Sequence, residues 1–199
     1  MKNHLPLAKL QKKLLGLIKN FYAPSAKDEA YFHQVAQSPN LQLVKDIALW
    51  WRQNHLERYC FFTSRFLKST GQMEAVTAQY YHYNNHSSFI EEIGPQFLKW
   101  LSQNSKGLTS AIARFEAGMM AVNKGEIYED EIMWPCDPLP VIHALINGNL
   151  CNESIQEGRF RMILSDKITS TFEVEEMEIT DSLPDDFNKF VKSEPPFVL

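Results

Sequence analysis

Cysteine is scarce in this chain of 199 residues, and the three present, Cys60, Cys136 and Cys151, are odd in number and far apart. That spacing offers neither a disulfide framework nor the paired thiolates of a structural zinc site, and it suits a reducing cytoplasm. Long apolar runs are also missing. The nearest approach, from Trp134 to Cys151, is broken by Pro135, Pro138 and Pro140, so no membrane span is expected. The first residues carry Lys2, Lys9, Lys12, Lys13 and Lys19 with no acid before Asp28, but their apolar residues are interrupted every few positions, unlike an export signal. There is no surplus of positive charge. Twenty Lys and Arg against 24 Asp and Glu give a net charge of -4, the wrong sign for a protein whose task is to neutralise phosphates, so nucleic acid is not expected as a partner. Nucleophile elbow, phosphate-cradling glycine loop and H-E-x-x-H are all absent, and no catalytic residue is assigned.

What the chain does have is apolar and aromatic bulk: 44% hydrophobic residues, with 13 Phe, 7 Tyr and 4 Trp, enough for a packed core. Leu7, Leu10, Leu14, Leu17, Ile18 and Phe21 recur at helical spacing and predict an amphipathic helix over residues 5–21. Ser25 is the expected cap of a second helix carrying Tyr31, Phe32 and Val35. Asn40 is the expected cap of a third, whose stripe contains Leu41, Val44, Ile47, Ala48, Trp51, His55 and Leu56. Trp50 and Trp51 are expected in the core. Helical spacing continues through Phe61, Phe62, Phe66 and Leu67 to a stop at Gly71, then through Met73, Val76, Tyr80, Tyr81 and Tyr83. Ser88 and Glu91 fit a capping box, Pro95 suits a helix start, and Thr109 to Asn123 is the clearest helix, closed by Gly125.

After Gly125 the pattern changes. Ile132 to Trp134 reads as a short extended piece, and Asp137 caps a short helix that Gly148 ends. From Arg159 the period becomes two: Phe160, Met162 and Leu164 alternate with Arg159, Arg161 and Ile163, and Phe172 and Val174 alternate with Glu173 and Glu175. A loop over 165–170 makes these an antiparallel hairpin, and Leu183 to Val191 predicts a last helix. The fold expected is mainly α: a helical bundle over residues 1–124, then a small α+β domain over 125–199. Charge divides in the same region. Residues 1–157 hold 15 basic against 15 acidic residues; residues 158–199 hold five basic residues (Arg159, Arg161, Lys167, Lys189, Lys192) against nine acidic ones.

Two constellations could carry function. His82 and His86, four apart, could share a helix face and ligate a metal with His55 or Glu91, but Asn84-Asn85 breaks that helix, and no metal ligand is assigned. Phe172, Glu173, Val174, Glu175 and Glu176, beside a strand bearing Arg159 and Arg161, form an acidic strand. A solvated sheet face accounts for it; so does an edge that pairs with an extended basic peptide.

Four segments in order carry a resemblance: Glu57-Arg58-Tyr59-Cys60-Phe61-Phe62-Thr63-Ser64-Arg65-Phe66-Leu67, Ser88-Phe89-Ile90-Glu91-Glu92-Ile93-Gly94-Pro95-Gln96-Phe97-Leu98, Ile112-Ala113-Arg114-Phe115-Glu116-Ala117 and Met133-Trp134-Pro135-Cys136-Asp137-Pro138. Together they resemble the HvfC group of helical proteins, which carries a DNA-binding label. Within the group, the short length and the end after a strand pair and one helix are most similar to the MbnC branch of methanobactin biosynthesis. The resemblance implies a partner subunit of an MbnB-like multinuclear iron enzyme, which uses iron and dioxygen to convert cysteines of a precursor peptide to oxazolone and thioamide groups. It further implies that the iron lies in that enzyme, with no cofactor in this chain, and that the C-terminal part resembles a peptide-recognition element for the leader of the precursor. The alternatives are an autonomous helical metal-binding or regulatory protein using His55, His82, His86 and Glu91, or an HvfC-type partner acting on another peptide.

Overall fold

The computed structural model describes residues 6–84, 93–148 and 156–177. Among them the chain is mainly helical, with α1 (Leu7–Ile18), α2 (Ala30–Ala36), α3 (Pro39–Tyr59), α4 (Phe61–Ser69), α5 (Met73–Tyr83), α6 (Ile93–Asn104), α7 (Gly107–Asn123) and α8 (Pro138–Asn147). The strands β1 (Glu129–Cys136), β2 (Glu157–Ser165) and β3 (Phe172–Glu176) form one antiparallel sheet in the order β1-β2-β3. No helix of the described residues is long and apolar enough to cross a membrane. The mainly α fold with a small α+β part is as the periodicity predicts, with a third strand where only a short extended piece was expected. The capping box at Ser88 and Glu91 and the last helix at Leu183 to Val191 lie outside the described residues.

The chain divides into two compact units: Met1–His55 with Glu74–Ser88, and Leu56–Met73 with Phe89–Leu199. In the first, Leu17, Phe32 and Leu41 are buried together, flanked by Leu10, Leu14, Ile18, Tyr22, Val35 and Ala36. Lys13 bonds Asp28 and lies 4.7 Å from the Phe32 ring centroid, so its cation rests between a carboxylate and an aromatic face. Bonding to Lys13 and to the Ser25 backbone holds the Asp28 carboxyl well below the usual carboxylate range. Ser25 is therefore not the cap of α2. Its N–H and hydroxyl donate to Asp28 at 2.7 and 2.8 Å, and α2 begins after Glu29. At the start of α3 the Ser38 hydroxyl, rather than Asn40, supplies the acceptor, taking the Asn40 N–H at 3.2 Å. Nor are the two tryptophans in the core. Trp50 and Trp51 are 55% and 57% exposed and meet edge to face, because the apolar residues of α3 are scattered among polar ones on all sides rather than gathered on one face, and Leu41 and Leu56 are the ones that reach the core.

The second unit is organised on α7, which packs against α4, α6, β1 and β2. Ala111, Ile112, Ala113 and Phe115 are buried, and at Gly118 the helix closes on the sheet, since a Cβ there would stand 2.7 Å from the Tyr128 ring and 2.9 Å from Leu164. The other side of the core is the inner sheet face: Ile132 and Trp134 from β1 with Phe160, Met162 and Leu164 from β2. Asp137 accepts the Leu139 N–H at 3.0 Å to start α8, and Gly148, at φ 74°, ends it. Arg65 of α4 donates to the Leu145 and Ile146 carbonyls, both at 2.7 Å, and covers Phe61 at 4.0 Å. It thus satisfies the Ile146 carbonyl and adds a second donor to that of Leu145, which also accepts the Gly148 N–H.

Glu116 is the one buried carboxylate of α7, only 4% exposed. It accepts the N–H groups of Phe62 and Thr63, at 3.0 and 2.8 Å, in the first turn of α4, where no local side chain caps the helix. Burial raises its pKa above the ordinary value against the opposing pull of those hydrogen bonds. With the folded value above the unfolded one, the stability linked to this carboxyl is fullest at low pH and declines as pH rises through the folded value. Glu116→Ala should cost about 2 to 4 kcal/mol by leaving one buried and one half-buried donor unpaired. Glu116→Gln, which keeps an acceptor, should cost less and should flatten that part of the pH dependence; urea denaturation at several pH values between about 4 and 8 checks both.

Candidate peptide-docking edge

The register fixes which residues share a face. Leu164 lies opposite Phe172, Met162 opposite Val174 and Phe160 opposite Glu176, so the β3 residues Phe172, Val174 and Glu176 share the inner face with the core residues of β2. Phe172 is half-buried and meets Phe115 of α7 edge to face at 5.7 Å. Glu173 and Glu175, opposite Ile163 and Arg161, share the outer face. Glu176 thus stands apart from the other two glutamates, on the apolar side.

On the outer face Arg161 bonds Glu175, its Nε donating at 3.1 Å, and lies 3.8 Å from Glu131 of β1. Glu173 has Ile163 beside it and no ion pair among the described residues. Arg159 contributes its carbonyl, which accepts the Met177 N–H at 2.8 Å. Of the residues singled out by sequence, Phe172 to Glu176 are thereby brought onto one edge strand, while Arg161 serves as the counter-ion of Glu175.

The two edges of the sheet differ. Hydrogen bonding in an antiparallel pair alternates, and the bonds Ser165 N–H to Thr171 C=O and Met177 N–H to Arg159 C=O set the phase. In β3 the main-chain groups of Thr171, Glu173, Glu175 and Met177 turn toward β2, and those of Phe172, Val174 and Glu176 turn outward. The Phe172 carbonyl accepts the Ser170 hydroxyl at 3.0 Å; the outward groups of Val174 and Glu176 have no protein partner among the described residues. By the same alternation Glu131 turns its groups out from β1, and both are occupied. Its carbonyl accepts Arg114 Nη2 at 2.8 Å, and its N–H donates to Asp130 at 3.0 Å. Arg114 is itself held by Asp130, which also accepts the Tyr128 hydroxyl at 3.2 Å. Pro135 further along β1 has no N–H to offer. On the β1 edge side chains take the Glu131 groups and Pro135 offers no N–H, while Met133, outward in the same phase, keeps its own; among the described residues the β3 edge is open at both Val174 and Glu176.

The metal reading gains no geometry. Among the described residues no three His, Cys, Asp or Glu side chains converge; His82 stacks on Phe21 at 5.3 Å, and His86 and Glu91 lie outside the described residues. Burial pushes the Cys136 thiol up to about 11 and the Cys60 thiol well above its ordinary value, which disfavours the reactive thiolate. Sequence reasoning passed over Arg114 and Asp130, whose role depends on a strand partner that periodicity alone does not reveal.

Amide hydrogen exchange checks the edge directly. The amides of Val174 and Glu176 should exchange much faster than those of Glu173, Glu175 and Met177, whose groups face β2; uniform protection along the strand would contradict an open edge. No family model, curated protein or solved structure matches the chain.

Proposed function

We propose that this protein is the peptide-binding partner subunit of an iron-dependent peptide-modifying oxidase. In this reading the basic leader of a precursor peptide adds to the sheet along β3, and a separate multinuclear iron enzyme carries the metal. The observation that supports it is the contrast between the two edges: on β1 Arg114 and Asp130 occupy the Glu131 groups and Pro135 has no N–H, while among the described residues Val174 and Glu176 of β3 offer unused donors and acceptors. An edge open along the described residues, beside another that side chains and a proline partly close, fits a surface kept for an extended ligand.

The resemblance to the HvfC group supplies the rest of the proposal. In its MbnB–MbnC form, the two chains work in the cytoplasm as a heterodimer that converts precursor cysteines to oxazolone and thioamide groups on the way to a copper chelator. Iron and dioxygen supply that oxidation from the partner enzyme. This chain contributes the docking strand, with the backbone giving affinity and the glutamates favouring lysine-bearing segments.

Glu176→Pro tests the edge. Position 176 directs its N–H away from β2, so proline removes an outward donor while leaving the β2–β3 ladder intact. The circular dichroism spectrum should be unchanged and leader affinity, measured by titration calorimetry, should fall by about tenfold or more. Wild-type affinity in the variant would place docking elsewhere. Co-expression with an MbnB-like multinuclear iron enzyme should yield a stable 1:1 complex on size exclusion; two separate monomers would count against the partnership.

A further inference from the structure

We infer that the strand taken up by β3 alternates basic and apolar side chains, and that Glu173 is the residue that selects the basic one. The inference rests on reading β3 as the docking edge and adds the chemical class of its ligand. A strand added there has two faces, continuous with those of the sheet. Its inner-face residues lie beside Phe172 and Val174, both half-buried apolar side chains left at the rim of the core. Its outer-face residues lie beside Glu173 and Glu175. Since those glutamates turn their main-chain groups toward β2, an antiparallel strand would meet them at its non-hydrogen-bonded positions, where facing side chains come closest.

The two glutamates are not equivalent. Glu175 is matched by Arg161, whereas across the sheet Glu173 shares its row with Ile163 and then Glu131, so two carboxylates flank an isoleucine. A cation opposite Glu173 adds charge complementarity that no described residue supplies. The same charges disfavour two other occupants. A second copy pairing edge to edge would set glutamates against glutamates. The chain after Met177 contains Glu178, Asp181, Asp185, Asp186 and Glu194 against Lys189 and Lys192, an acidic composition that an acidic edge does not attract.

Two labelled peptides of identical composition, acetyl-KVKVKVK-amide and acetyl-KKVVVKK-amide, separate pattern from net charge. Fluorescence anisotropy with the full chain should show the alternating peptide binding about tenfold more tightly, the sum of several modest cross-strand pairs. Glu173→Gln should weaken it by about two- to fivefold, and Glu175→Gln by less than about twofold. Equal binding of the two peptides, with both lost in Glu176→Pro, would overturn the alternation and leave the docking edge standing. Binding of both that is indifferent to Glu176→Pro would overturn the edge itself. A larger effect at Glu175 than at Glu173 would overturn the role given to Glu173, and a concentration-dependent dimer dissolved by Glu176→Pro would give the edge to a second copy.

Discussion

The Glu116 carboxylate completes a helix that is distant from it in sequence, and the second unit depends on that bond. The amides at the start of α4 need an acceptor, and the residue before the helix, Cys60, provides none through its side chain. The acceptor comes instead from the middle of α7, so the beginning of one helix and the flank of another cannot separate without exposing a buried carboxylate and two amides. A helix pair held only by apolar contact could slide; one held by a bidentate cap has a single register. Phe62 and Phe115, in edge-to-face contact at 5.3 Å beside this cap, fill the same joint.

From α7 outward the logic passes to the sheet. The helix residue Arg114, two positions before Glu116, reaches Asp130 and the Glu131 carbonyl, so the element that locates α4 also occupies part of the β1 edge. One turn later Gly118 gives up its side chain to let Tyr128 and Leu164 approach. β3 has fewer ties. It hangs on β2 through its ladder and on α7 through Phe172, an arrangement that anchors one face of the strand and, among the described residues, leaves the outward backbone of Val174 and Glu176 without a partner.

Much of this could be read from the residues. Helical periodicity located the helices because each buries an apolar face, and Asp137 and Gly148 fixed the ends of α8 through local chemistry that sequence displays directly. The alternation in β2 and β3 was equally plain. β1 was harder, because Pro135 and the irregularity between Trp134 and Cys136 interrupt its period of two. Trp50 and Trp51 misled for another reason: aromatic size argues for burial, but a helix with apolar residues on several sides cannot bury them all. The Glu116 cap was out of reach, since donor and acceptor lie 54 residues apart and neither segment is marked by the other. The site was half legible. The acidic strand stood out, but which of its groups face outward, and which edge is shut, follow from hydrogen-bond phase and from a guanidinium on another element.

An open strand edge is also a colloidal hazard, because any chain with exposed donors and acceptors in extended geometry can seed association with its own kind. Here the safeguard is not steric. Proline and side-chain bonds guard part of β1, but among the described residues β3 is guarded by charge alone, and charge at an exposed surface is screened within about 8 Å at physiological ionic strength and within about 3 Å in molar salt. Raising the salt therefore lowers the barrier to like-with-like pairing. Solubility of the chain becomes a function of ionic strength, highest in dilute buffer, and anything that occupies this edge also serves as a cap against aggregation.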